Sequence, residues 1–127
     1  MTLLANQLKV LQVSNPGARA TPLPSGAQLI EIPGVKFPEG WNRQEDTVFF
    51  LAPPGYPAAR PDCFWVGQCG LRLANGGIAA NTNDANPIPE VGPKGTWFSW
   101  HLQNWDPSND SLLTYFNVIR QRLNPAR

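Results

Sequence analysis

Apolar residues recur first at helical and then at strand spacing. Leu4, Leu8 and Leu11 fall at i, i+4 and i+7 behind Thr2, a residue type that caps helix N-termini. The pattern predicts an amphipathic helix ending before Asn15-Pro16-Gly17. AQLIEI, with its β-branched and alternating character, reads as a strand that Pro33-Gly34 turns toward VKF. DTVFFLA, residues 46 to 52, is the strongest strand signal, and CFWV, residues 63 to 66, is another. Between them, PPGYPAARP holds four prolines in nine residues, which excludes helix and central strand and predicts an ordered loop. Residues 68–94 are rich in Gly, Asn and Pro without hydrophobic period, a long irregular stretch of the kind that often carries function. The final signal is helical: Leu112, Phe116, Ile119 and Leu123 follow DPSND, with Arg120 and Arg122 near the end and Asn124-Pro125 as the stop.

Helix, a meander of three to four strands, a long loop and a helix predict an α+β domain spanning residues 1–127, with the helices on one face of an antiparallel sheet. A length of 127 residues with 42% apolar content suits one core.

Charge narrows the classes of partner. The formal net charge is +1 and the ten Lys and Arg form no run, so neither nucleic acid nor an anionic membrane is an expected partner; a protein or small substrate is. No segment approaches the roughly 20 apolar residues of a membrane span. MTLLANQLKV lacks the charged start and long apolar run of a secretory signal, so a cytoplasmic location is expected.

The candidate chemistry is sparse. Cys63 and Cys69 lie six apart, matching neither a zinc pair nor a disulfide framework, and adding His101 gives three soft donors without a fourth. No metal or other cofactor is therefore expected. TWFSWHLQNWDP, residues 96 to 107, holds the sole histidine, His101, among Trp97, Trp100 and Trp105. An imidazole ordinarily titrates at about 6.5 and so suits general acid–base work, but one in aromatic surroundings is also commonly a packed, hydrogen-bonded ring. Cys69, in GQCG, is expected to be exposed, with no Lys, Arg or His within several residues to activate it. Cys63 reads as a small hydrophobe in or under the sheet. Trp41 and Trp65 read as core or sheet-face residues, and no Gly-x-Ser-x-Gly elbow suggests a hydrolase.

The order of VFFL, GYPAARP, a loop holding NGGIA, and Trp-x-Pro in WDPSNDSLLTYFNVI before a helix resembles the ubiquitin-conjugating E2 fold over about residues 28 to 123. Those enzymes show a strand, a Tyr-Pro-x-x-x-Pro-like turn, an Asn-Gly-x-Ile-Cys segment bearing the nucleophile, and Trp-x-Pro before a crossover helix. GWN, PPGYP, PDCFWV, LRLANG and the stretch from SWH through WDPSNDSLLTYF look like prokaryotic E2 family E. These proteins are encoded beside bacterial ubiquitin-like modifiers and E1-like adenylating enzymes. That branch retains a histidine in the segment matching Ser99-Trp100-His101 and does not rely on the usual cysteine. Here the nucleophile position falls on Ala79 and the upstream His-Pro-Asn is absent, and the two further helices of a full E2 core are not expected after the Trp-x-Pro helix.

The resemblance implies an E2-like component of a bacterial ubiquitin-like conjugation pathway. It would bind an E1-like enzyme and its modifier, and promote transfer to a substrate lysine without a thioester of its own. His101 would move the proton. Asp62, Asp106 and Asp110 would supply carboxylates that orient the lysine, although Asp106 and Asp110 also suit helix capping and Asp62 a turn. A noncatalytic scaffold or modifier-binding module is the alternative, followed by a Cys69-dependent thioester transferase.

Overall fold

The computed structural model describes residues 2–127. Helix α1 spans Leu3–Ser14, its first turn capped by Thr2, whose hydroxyl accepts from the Ala5 N–H. Leu11 is fully buried, with Leu4 and Leu8 packed beside it, so the leucine stripe faces the core. At the other end both the backbone N–H and the side-chain amide of Asn15 donate to the Leu11 carbonyl before Pro16-Gly17 turns the chain.

Six strands follow: β1 (Arg19–Pro22), β2 (Gln28–Lys36), β3 (Glu45–Ala52), β4 (Phe64–Val66), β5 (Thr82–Asn83) and β6 (Thr96–Phe98). They form one antiparallel sheet in the order β1-β2-β3-β4-β6-β5. The sheet exceeds the expected three to four strands because β1, β5 and β6 span only four, two and three residues, too short for alternation to show. Pro33-Gly34 does not turn the chain. Strand β2 runs through them to Lys36, and its register against β3 shifts between Ile32 and Val35. Proline has no ladder N–H and Gly34 sits at φ +66°, so the pair makes an irregularity within one strand.

Alternation along the central strands sends side chains to two apolar faces. Ile30, Ile32, Val48, Phe50, Phe64, Val66 and Phe98 meet Leu11 of α1 and Leu112, Tyr115, Phe116 and Ile119 of α2 (Leu112–Leu123) in the main core. Leu29, Phe49 and Trp65 point the other way and are covered by Ile88. The part of the irregular 68–94 stretch around Asn86 and Ile88 thus roofs the sheet face opposite the helices, where the Trp65 indole donates to the Asn86 carbonyl at 2.8 Å, while Leu71 and Ala79 of the same stretch enter the main core. Asp84 secures that roof. Its carboxylate accepts from the Gly70 N–H, the Thr96 hydroxyl and the Arg72 guanidinium at 3.0, 2.6 and 2.8 Å. Partial burial pushes the Asp84 carboxyl up, but the hydrogen bonds from Arg72, Thr96 and Gly70, aided by Arg72's charge, prevail and hold it down at about 2.

Helix α2 is capped by Ser111, whose hydroxyl accepts from the Thr114 N–H while the Thr114 hydroxyl accepts from the Ser111 N–H. This corrects the expected capping by Asp106 or Asp110. Ser111 directly precedes the first helical residue, whereas the two aspartates close the turn before it: the Asp106 N–H donates to Asp110 Oδ2 at 2.7 Å. Gln7 ties the two helices to the proline-rich loop, its side-chain oxygen accepting from the Leu112 N–H at 3.2 Å and from the Tyr56 hydroxyl.

Candidate functional site

The site forms where β4 and β6 run out. Phe64 pairs with Phe98, Trp65 with Trp97 and Val66 with Thr96, so Asp62-Cys63 and Ser99-Trp100-His101 leave the same end of the pair side by side. The Cys63 N–H continues the ladder by donating to the Trp100 carbonyl at 3.1 Å. Cys63 itself sits at φ +61°, in the left-handed region that a residue with a Cβ rarely adopts. Its carbonyl accepts from the buried Tyr115 hydroxyl at 2.8 Å, so α2 anchors the turn from below.

This arrangement brings His101 and Asp62 together. Asp62 Oδ1 lies 2.6 Å from His101 Nδ1, and the two side chains are 59% and 62% exposed. The other ring nitrogen, Nε2, is 3.4 Å from the Ser99 hydroxyl. His101 is therefore not a ring packed among tryptophans. The three tryptophans diverge: Trp97 packs toward the Ile88 face, Trp100 toward the main core, and Trp105 donates to the Pro57 carbonyl at 2.7 Å.

An open groove of about 540 Å³ adjoins His101, walled by Asn81, Ser99, Trp100, Leu102, Gln103 and Asn104 on one side and by Val118 and Gln121 of α2 on the other. Trp100 in that wall is braced by Arg122, a buried arginine whose guanidinium lies over the rings of Phe98 and Trp100 at 5.0 and 5.3 Å. Nη2 donates to the Ala80 carbonyl at 2.8 Å and the Arg127 carbonyl at 3.0 Å. Burial first, and repulsion from Arg127 second, lower its pKa to about 10, so it stays charged at neutral pH.

The remaining candidates lie elsewhere. Asp106 is engaged in its own turn, its carboxylate accepting from the Ser108 N–H at 2.9 Å and the Asn109 amide at 2.6 Å; the structure does not bring it into the His101 pair. Ala79 is 3% exposed, its methyl group in the main core. Cys69 is exposed; its carbonyl accepts from Arg43 and its sulfur lies 3.8 Å from the Asp84 carbonyl oxygen.

Cys63 joins the site instead. It is buried, and a donor atom from each of Asp62, Cys63 and His101 lies within 4.8 Å of the others. Burial pushes the Cys63 thiol up, with the Asp62 charge adding to the shift, while hydrogen bonding to the Trp100 backbone and the Trp97 side chain opposes it. Sequence reasoning missed Ser99 and Cys63. The available signal was the position of PDC and SWH at the ends of two short strands, and it became informative only once those strands were known to pair.

Residues 20–126 match the family model described as Prokaryotic E2 family E. The chain belongs to that family. No curated protein and no solved structure matches it. Membership of Prokaryotic E2 family E ties the chain to ubiquitin-like conjugation in general terms, and the antiparallel sheet with its helices on one face agrees with an α+β E2-like fold. Among the described residues, no helix is long and apolar enough to cross a membrane.

Proposed function

We propose that this protein promotes transfer of a ubiquitin-like modifier from an E1-like partner to a substrate lysine, with His101 accepting the proton that the attacking amine must lose. The observation that carries this reading is the Asp62–His101 pair at the mouth of an open groove. With Nδ1–H donated to Asp62, Nε2 keeps its lone pair, faced by the Ser99 hydroxyl at 3.4 Å, and is oriented, the arrangement a general base needs. The activated carboxyl group stays on the partner. Ala79 has no nucleophilic atom, and Cys69 has no histidine among its hydrogen-bond partners. The groove then holds the modifier's extended tail, so that positioning lowers the entropic part of the barrier and proton removal lowers the rest.

The Ser99 hydroxyl supports a second reading. Ser99 Oγ, the His101 imidazole and Asp62 follow one another in the sequence of a nucleophile, base and orienting acid, at 3.4 and 2.6 Å. In that reading Ser99 attacks the activated carboxyl, His101 takes the hydroxyl proton, the partner departs, and the modifier rests on Ser99 as an oxyester before lysine displaces it. Catalytic hydrogen bonds are often long before substrate binds.

The test is conjugation in a reconstituted mixture of modifier, E1-like enzyme and lysine acceptor. Wild type is compared with His101→Ala, Asp62→Asn, Ser99→Ala, Cys63→Ser and Cys69→Ser, each checked for folding and partner binding. Loss in His101→Ala with binding retained supports proton transfer, and full activity there leaves a scaffold. An alkali-labile adduct that resists thiols and vanishes in Ser99→Ala establishes the oxyester. A thiol-sensitive adduct that vanishes in Cys69→Ser replaces both readings.

A further inference from the structure

The same strand ends gather three donor types with no role as a set in the transfer reading. Asp62 offers a carboxylate oxygen, Cys63 a sulfur and His101 an imidazole nitrogen, all within 4.8 Å of one another. Sulfur and imidazole nitrogen suit zinc and its neighbours among the transition metals, whereas magnesium and calcium seek oxygen.

The backbone explains the convergence. In an extended strand successive side chains point to opposite faces, so adjacent residues such as Asp62 and Cys63 do not share a ligand. The left-handed conformation of Cys63, φ +61°, breaks that alternation at the one place where convergence requires it. Such a conformation is strained for a residue with a Cβ and persists where its surroundings over-determine it. Two anchors do so: the ladder bond from the Cys63 N–H to the Trp100 carbonyl at 3.1 Å, and the buried Tyr115 hydroxyl on the Cys63 carbonyl at 2.8 Å. The third donor, His101, directly follows the residue that Cys63 binds, so the pairing that fixes Cys63 also fixes the approach of the imidazole.

We propose that Asp62, Cys63 and His101 form a three-ligand zinc site whose fourth position is open to solvent. Zinc stands about 2.0 to 2.3 Å from such donors, which sets neighbouring donors roughly 3.3 to 3.7 Å apart in a tetrahedron. The donor set, with its nearest pair at 2.6 Å and every separation at or below 4.8 Å, brackets that spacing. Binding therefore asks for small rotations of two exposed side chains about a fixed sulfur. The ion enters from the exposed Asp62–His101 side, and Cys63 ligates as the thiolate: one thiol proton leaves to solvent, one zinc–sulfur bond forms, and no oxidant or reductant takes part. Any ligand atom taken from the Asp62–His101 contact ends their hydrogen bond, so metal loading and the paired state compete for His101. This inference does not depend on the transfer reading.

The test is a cobalt(II) titration of the full chain, freed of metal with a chelator and followed by absorption. Wild type is expected to take up one equivalent with a thiolate-to-cobalt charge-transfer band and visible bands of four-coordinate cobalt, both bleached by zinc. Cys69→Ser is expected to behave as wild type. Cys63→Ser should lose the charge-transfer band, and His101→Ala, a change at an exposed side chain, should weaken binding at least tenfold even if the Cys63 variant fails to fold. Absence of the band in folded wild type overturns the proposal, as does a band lost in Cys69→Ser but retained in Cys63→Ser. Uptake unaffected by His101→Ala also overturns it.

Discussion

Asp62 Oδ1 and His101 Nδ1 stand 2.6 Å apart although 39 residues separate them in the chain. Only the β4–β6 pairing places them together, and their exposure leaves the contact open to a macromolecular substrate. If His101 is the base, His101→Ala lowers the single-turnover rate of modifier transfer to lysine by about a hundredfold or more, the scale of a positioned general base. Asp62→Asn, which keeps a hydrogen-bonding partner but removes the charge, lowers it less. Thermal unfolding should move little in either variant, because an exposed pair of this kind contributes at most about 1 kcal/mol.

Tyr115 supports the site from beneath. Its hydroxyl, fully buried on α2, donates to the Cys63 carbonyl, and burial raises its pKa well above the ordinary tyrosine range, with the charges of Cys63 and Asp62 adding to the effect. Tyr115→Phe leaves that carbonyl without its donor and is expected to cost about 1 to 3 kcal/mol in urea unfolding. A loss of transfer activity larger than the loss of folded protein would show that the Cys63 turn has shifted.

Gly95 is the tightest approach along the β4–β6 pair, at the end opposite the site. A Cβ there would meet the Val66 carbonyl oxygen at 2.0 Å and that of Gly67 at 2.5 Å, both backbone atoms that no rotamer change moves. Gly95→Ala must push β6 away from the end of β4, and a destabilisation of at least about 2 kcal/mol is expected by denaturant titration. Gly76→Ala provides the contrast: its Cβ meets nothing within 4 Å, so its cost comes from φ +87° alone.

The Asp84 carboxyl, held at about 2 in the folded chain, sets an acid limit. Its folded pKa lies below the ordinary value of about 3.9, so the stabilisation is present above that value and is lost as pH falls through about 2. The shift corresponds to about 2 kcal/mol. Unfolding measured from pH 6 to pH 2 should show wild type losing its advantage over Asp84→Asn across that window, with the two curves converging at the acid end.

Much of the frame was legible along the chain. The Leu4–Leu8–Leu11 stripe and the Leu112–Phe116–Ile119–Leu123 stripe specify their helices locally, because helical hydrogen bonds join near neighbours and the caps are within reach. The same holds for β3, whose continuous run of bulky apolar residues is long enough to read. Short strands are different. TWF and TN become strands only by pairing with each other and with FWV, and Pro33-Gly34, which looks like a turn, remains within β2 because β3 resumes the ladder at Val35.

The family, too, was legible, since the order of its segments survives in the sequence. The site was legible only in part: His101 and Asp62 stood out by residue type, while Asp106 satisfies its carboxylate in its own turn. What the sequence by itself determined was the two helices and strand β3, because their signals are local. What the tertiary structure decided was the company each functional group keeps. Joining His101 to Asp62, Cys63 and Ser99, and leaving Cys69 apart, depends on sheet register and on one left-handed residue, which are nonlocal facts set by the packing of β4, β6 and α2.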